Sequence, residues 1–487
     1  MPPMRHTPVL ALASTIALAG CASAHATQPA HAPAGPVAVD DAEGTPPAAT
    51  ATVANEDGPP AKGPWIGAGG ESEVLLASGG ESFLGVWVDV PTTAHAKTRA
   101  PVDLELVVDT SGSMEGAKIQ AARASARTLI QRLADGDIVS IDTFSDNAKT
   151  LVAPTVVDAR TRARLLSAVA ELGTGGSTNM FEGLGLAEAH IAQAPESHAV
   201  RRIVMISDGQ ANVGPSSPEA LGQLAERALR VGAQVTSLGV GLDYDEHTLD
   251  AIAERTSGRL FHVGDPREMT ATLEHEMDLL GQTAANQAEI EVVPATGVQI
   301  LGVEGARMDW AGDGAVRIPL GALFAGQHKE ALLRVRLGQA AVGSQRALAS
   351  VRLKFHDPSE GGLERVQEVL ARADTTSDPT LVSMHANAKT HALMAVMEAS
   401  KVELQAAQDM SSGNFTGAGQ QLAQAEANVR AEAARTTDVA ARKKLDKAAA
   451  ALSAAGASCA AAPSAPPMDV RSDTLKMNQD AMRLQGF

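Results

Sequence analysis

The sequence predicts an α/β protein: a doubly wound, mostly parallel sheet inserted in or flanked by a β-sandwich unit, with a C-terminal helical region. Three observations carry this. From Val102 to about Leu280, short apolar runs alternate with longer segments of helical period, the pattern of a parallel sheet covered by helices. Short runs with β-branched or alternating apolar residues stand on both sides of that segment. Beyond them, residues 358–456 are dominated by Ala, Gln, Glu and Lys, with turn formers concentrated only around Ser411 to Gly419. At 487 residues the chain exceeds the size at which a single core stops growing, so more than one folded unit is expected. Aromatics make up only 2% of it against 44% hydrophobic residues, so the cores must be built from Ala, Val, Leu and Ile.

Residues 1–20 read as a signal peptide: Arg5 and His6 precede an apolar run from Val9 to Ala19 that is too short to span a membrane. The run ends in Leu18-Ala19-Gly20-Cys21, which resembles the bacterial lipobox. The resemblance implies that the Cys21 thiol is lipidated and that Cys21 becomes the mature N-terminus, anchoring the chain to a membrane through more than one acyl chain. Ala22 rather than Asp follows, and similarity to Gram-negative lipoproteins then implies the outer rather than the inner membrane of the cell envelope. Residues 21–63 are rich in Ala, Pro, Thr, Gly and acidic residues and cannot bury enough apolar surface to fold. A flexible tether of about 40 residues reaches roughly 35 Å, enough to hold a folded part clear of the headgroups.

Residues 64–100 contain Glu73 to Ala77 and Phe83 to Val90, both strand-like, which pair with later strands if the central unit is an insertion. Residues 101–285 form that unit. Its strands are Val102 to Val108, Asp137 to Phe144, Arg202 to Ile206 and Gln234 to Val240, each apolar enough for burial on both faces. Ile119, Ala122, Ala126, Leu129, Ile130 and Leu133 recur at helical spacing, as do Leu165, Leu166, Val169 and Leu172 before Gly173. Ser217-Pro218 is an N-cap and first-turn pair, and Asp245 caps the next helix.

In open sheets of this kind ligands bind beyond the carboxyl ends of the strands. The first strand runs into Asp109-Thr110-Ser111-Gly112-Ser113 and the third into Ser207-Asp208-Gly209, while a Gly-rich loop holds Gly175-Gly176-Ser177-Thr178-Asn179. Carboxylates and hydroxyls are hard oxygen ligands suited to magnesium, manganese or calcium. Gly112 is expected to turn the chain so that Ser111 and Ser113 face one ion, and Gly175 and Gly176 to let Thr178 approach. Across about residues 101–280 these three blocks, in order, resemble the metal-ion-dependent adhesion site of von Willebrand factor type A (VWA) domains. The resemblance implies that Ser111 and Ser113 ligate the ion directly, Asp109 and Asp208 directly or through water, and Thr178 directly in a high-affinity state. Two carboxylates roughly offset a divalent charge, leaving a position that an acidic side chain of a protein partner can complete. That is binding without turnover.

After the central unit, residues 286–357 carry strand-like runs at Glu289 to Val293, Val298 to Val303, Ala315 to Pro319, Glu330 to Leu337 and Arg346 to Phe355. The helical region 358–456 follows, with Met394 and Met397 as core residues, and residues 457–487 read as a disordered tail carrying an unpaired Cys459. A net charge of -17 opposes nucleic acid binding. Cys21 and Cys459 are the only cysteines, which excludes a disulfide framework, and the 13 His residues have no paired metal-ligand spacing.

Together these readings describe a membrane-anchored envelope lipoprotein whose VWA domain binds a divalent cation, magnesium ahead of manganese or calcium, and mediates metal-dependent protein interaction or adhesion. The alternatives are a non-adhesive scaffold or assembly factor for an envelope complex, and a magnesium-dependent phosphohydrolase. The last requires a carboxylate two residues after Asp109, where Ser111 stands instead, so no catalytic residues are expected.

Overall fold

The computed structural model describes residues 64–92 and 99–484. The predicted leader, Cys21 and the predicted tether lie outside the described residues. The first strands are β1 (Ile66–Gly70), β2 (Val74–Leu76) and β3 (Gly80–Asp89). In β3, Leu84, Val86 and Val88 alternate onto one buried face, the period-two pattern of a sheet with one side on a core.

The chain then enters the central domain through β4 (Val102–Asp109), α1 (Ala117–Arg132), β5 (Ile138–Phe144), β6 (Ala148–Val156), α2 (Ala159–Ala170) and α3 (Met180–Ile191). It continues through β7 (Val200–Ser207), α4 (Pro218–Arg230), β8 (Ala233–Val240), α5 (Glu246–Arg255), β9 (Arg259–Val263) and α6 (Met269–Gly281). The strand order is β6-β5-β4-β7-β8-β9, parallel except for the antiparallel edge strand β6. Every residue of β4 is buried, as expected of a central strand. Leu104, Leu106 and Val108 pack with Ile119 and Leu129 of α1, Leu165 of α2 and Leu273 of α6 on one face. Val107 packs with Leu184 of α3, Leu224 of α4 and Leu249 of α5 on the other. Each such fully buried aliphatic side chain contributes about 1.5–3 kcal/mol. Asp158, Asn179, Ser217 and Asp245 cap α2, α3, α4 and α5 by accepting from first-turn amides, the last two as the sequence suggests.

From α6 the chain returns to the β unit through β10 (Thr283–Pro294), β11 (Val298–Glu304), β12 (Asp309–Trp310), β13 (Val316–Phe324), β14 (His328–Leu337), β15 (Gln345–Asp357) and β16 (Leu363–Thr376). Two sheets form, of order β1-β3-β14-β11 and β12-β13-β10-β15-β16-β2. Because β3 pairs antiparallel with β14 and β2 pairs with β16, strands from before and after the central domain share both sheets. The core between them is made by Leu84, Val86, Ile290, Val292, Leu333, Val335, Leu353 and Phe355.

The helices α7 (Pro379–Met384), α8 (Ala388–Ser411), α9 (Phe415–Arg435), α10 (Val439–Ala461) and α11 (Pro467–Leu484) complete the fold. Small residues such as Ala406, Ala418 and Ala448 line their contacts, with Leu422, Leu445 and Leu452 between them. Met397 is buried beside Leu332 and Leu393, where α8 rests on the β unit, and Met394 packs partly buried against the same group.

Two expectations are corrected. The helical region does not begin at residue 358, because Leu363–Thr376 is a strand paired along its length with β15. Its apolar residues at 363, 366, 369 and 370 imitate helical spacing, but Leu363, Val366 and Leu370 face outward, and the ladder rather than the apolar period decides the conformation. Residues 457–484, the described part of the segment 457–487 expected to be a disordered tail, are ordered: α10 runs to Ala461 with Cys459 buried in the helical core, and α11 spans 467–484. Leu475 of α11 inserts into the central-domain core, Arg471 lies 3.6 Å from Glu246, and the Asn478 side-chain amide donates to the same carboxylate at 3.1 Å.

Candidate metal centre

The connection from β4 leads through α1 to β5 on one side, and the connection from β7 leads through α4 to β8 on the other. Since β4 and β7 are neighbours, the loops leaving their carboxyl ends diverge and open a crevice between them. Asp109 is the last residue of β4, and Asp208 follows the last residue of β7.

Asp109 is fully buried. Its carboxylate accepts from the Ser207 hydroxyl at 2.6 Å and from the Ser111 backbone N–H at 2.8 Å. Burial pushes this carboxyl above its ordinary range, and the hydrogen bonds from Ser207 and Ser111 oppose the shift. The Ser111 and Ser113 hydroxyls lie 3.0 Å apart, and Ser113 donates to Asp208 Oδ1 at 2.7 Å. The other oxygen of Asp208 is paired with the Lys118 ammonium at the start of α1.

Thr178 is held from the opposite side. Its N–H donates to Asn212 Oδ1 at 2.8 Å, and its carbonyl accepts from Asn212 N–H at 3.0 Å, locking it to the loop after β7. A methyl group built on Gly209 would lie 3.5 Å from Ser113 Oγ and 3.8 Å from Thr178 Oγ1, so both hydroxyls line the same crevice. Gly176 is required by its backbone, with φ +84, and by Asp146, whose carboxylate oxygen would lie 2.6 Å from any Cβ there. Gly112 is not in the left-handed region; it acts through its N–H, which donates to Gly176 O at 3.1 Å. Adjacent ligands of a magnesium octahedron with bonds of about 2.1 Å stand roughly 3 Å apart. The spacings of 3.0 and 2.7 Å fit such a donor set.

A second cluster lies deeper. Glu105 of β4, Asp142 of β5 and His190 of α3 bring ligand atoms within 4.8 Å of one another, a set that could hold a metal ion. His190 Nδ1 is 3.0 Å from Asp142 Oδ2 and 3.6 Å from Glu105 Oε2, and the Ser140 hydroxyl donates to Glu105. Burial pushes Glu105 up to about 8 and raises Asp142 as well, while the bond to Glu105 and the charges of both carboxylates raise His190. Sequence reading missed this cluster because it took β4 only as a strand apolar enough for burial on both faces and found no paired histidine spacing. The available signal was the pair Asp103 and Glu105 at alternate positions of a strand buried on both faces.

This architecture, a parallel sheet with helices on both faces and oxygen donors at its switch point, defines the class of the central domain. The chain matches the family model of the von Willebrand factor type A domain over residues 103–275. It is 28% identical over 279 residues to the uncharacterized protein sll0103 of Synechocystis sp., covering 54% of this chain and 63% of that one. It is 26% identical over 246 residues to the uncharacterized protein YfbK of Escherichia coli, covering 49% of this chain and 42% of that one. The chain thus spans less than two thirds of the length of these relatives. Among solved structures, a von Willebrand factor type A protein from Catenulispora acidiphila superposes with a TM-score of 0.65 at 18% identity, covering 79% of this chain and 89% of that one. That likeness extends the shared fold beyond the VWA domain itself.

Proposed function

We propose that this chain is a lipid-anchored protein of the bacterial cell envelope whose VWA domain captures a protein ligand through a divalent cation, magnesium ahead of manganese or calcium. Asp109, Ser111, Ser113, Thr178 and Asp208 would hold the ion. The cation supplies a positive centre that an acidic side chain of the partner can join. The observation that carries the reading is the convergence of these donors on one crevice, with Ser113 bridging Ser111 at 3.0 Å and Asp208 at 2.7 Å. Asp109 is braced from two sides and cannot swing away, which suits a permanent ligand better than a reacting group. Attachment would be through Cys21, and the outer membrane is the expected destination. No helix among the described residues is long and apolar enough to cross a membrane.

The test is calorimetric titration of magnesium, manganese and calcium into the metal-stripped full-length chain, alongside Asp109→Ala and Asp208→Ala. One-to-one binding lost in both variants is expected, as is metal-dependent retention of a partner that the variants fail to retain. Partner retention that is unchanged by chelation or by Asp109→Ala would sink the proposal.

A further inference from the structure

We infer that Glu105, Asp142 and His190 form a second metal site, separate from the oxygen-lined crevice and suited to a transition metal of the zinc class. The geometry comes first. Ligand atoms around tetrahedral zinc, with bonds of about 2.0–2.1 Å, stand roughly 3.3 Å apart. The distances from His190 Nδ1 to Asp142 and Glu105 are 3.0 and 3.6 Å, on either side of that value.

The second observation is unmet hydrogen-bonding capacity. Glu105 and Asp142 are fully buried, and Glu105 Oε1 and Asp142 Oδ1 lie in the interior without a hydrogen-bond partner. Two buried carboxylates on neighbouring strands, facing one imidazole, call for positive charge, which in the metal-free chain only protons held on Glu105 and His190 can supply. A divalent ion supplies that charge and gives the carboxylates a partner.

The donors also select the metal. Magnesium and calcium take oxygen ligands, whereas an imidazole with two carboxylates suits zinc and its neighbours. The crevice residues Asp109, Ser111, Ser113, Thr178 and Asp208 offer only oxygen side-chain donors. One domain would therefore sort two cations by donor chemistry, with no competition between the sites. Access is through His190, whose side chain is 14% exposed, and the Ser140 hydroxyl orients the Glu105 carboxylate as outer-shell partners do. The ion would pin the C-terminal end of α3 to β4 and β5. The N-terminal end of that helix is capped by Asn179, directly after Thr178, so the deeper site steadies the helix that leads from the crevice.

Cobalt is the probe, because tetrahedral Co2+ absorbs visible light far more strongly than octahedral Co2+. The metal-stripped full-length chain is titrated with Co2+ in excess Mg2+. The expected result is an intense band saturating at one equivalent, abolished by one equivalent of Zn2+, retained in Asp208→Asn and lost in both His190→Ala and Glu105→Gln. Glu105→Gln keeps the shape of the side chain, so it decides the matter if His190→Ala fails to fold by circular dichroism. No intense band in the native chain, a band that survives Glu105→Gln, or one that disappears in Asp208→Asn would each overturn the inference. Failure of magnesium to bind the crevice would sink the proposed function and leave the cobalt result standing.

Discussion

Lys118 competes with a cation for Asp208, so removing its charge is expected to tighten magnesium binding. Its ammonium, on the first turn of α1, is paired with the Asp208 oxygen that Ser113 leaves free. The Asp208 side chain is fully buried, and 24% of the Lys118 side chain is exposed. An ion bound to Asp208 would stand roughly 5 Å from an ammonium that stayed in place. Charges of two and one at that distance repel by about 1.7 kcal/mol even at the dielectric constant of bulk water, and by more in a half-buried crevice. Lys118→Met should therefore lower the magnesium dissociation constant by at least about tenfold. The same change leaves Asp208 buried without its cation, so the metal-free protein should lose stability, and magnesium should restore it. Calorimetry gives the affinity and thermal unfolding with and without magnesium gives the stability. An affinity unchanged or weakened in a folded Lys118→Met protein would mean that Asp208 does not hold the ion.

Glu403 is buried, and burial together with the charge of Asp480 pushes it up to about 8 from an ordinary value of 4.5. The unfolded chain loses that proton near pH 4.5 while the folded chain keeps it, so stability falls as pH rises from about 4.5 to 8, by at most about 5 kcal/mol. Denaturant unfolding at pH 5 and pH 8 should show this slope flattened in Glu403→Gln; equal slopes would refute the assignment. Gly176→Ala places a methyl group against Asp146 at a left-handed φ, and should cost about 1–3 kcal/mol and weaken magnesium binding with it. Leu475→Ala removes the residue by which α11 enters the VWA core, and should cost about 2–4 kcal/mol in a calorimetric scan. A change within the error of the scan would mean that α11 rests on the domain without stabilising it.

The strands β4, β5, β7 and β8 were legible because each is buried on both faces and rich in apolar and β-branched residues over a short span bounded by helical segments. Asp109, Ser111, Ser113 and Asp208 were legible because they stand at or just after strand ends, where topology brings distant loops together, whereas Thr178, between α2 and α3, was legible only through its Gly-rich block and the family resemblance. Glu105 was hidden by the same feature that exposed its strand: the five apolar residues of Val102 to Val108 outweigh its two carboxylates when a window is averaged, and the partners Asp142 and His190 come from elements 37 and 85 residues away in sequence, counting from 105 to 142 and to 190. The strand β16 was misread because its conformation is set by β15, not by its own apolar spacing. The helix α11 was missed because its support is non-local, coming from Ser400, which donates to Ala481 O at 3.0 Å, and from Glu246.

That non-local support bears on how the crevice could communicate with the rest of the chain. The last VWA helix, α6, ends at Gly281, and β10 begins at Thr283, leaving a single residue between them. β10 lies between β13 and β15 in its sheet, so displacing the end of α6 would strain ladders on both sides. Glu276, buried on α6, adds to the resistance: it sits against Arg202 of β7 at 3.3 Å and accepts from the Thr236 hydroxyl of β8 at 2.9 Å. On the opposite face, α11 holds the start of α5 through Glu246. A VWA domain held at both of these helices should bind its ligand with little movement of α6. Hydrogen exchange in α6 and β10 is accordingly expected to be the same with and without magnesium, while exchange in residues 110–116 and 175–179 slows. Faster exchange in β10 on adding magnesium would show that the sandwich yields to the helix, and that metal binding is transmitted into it.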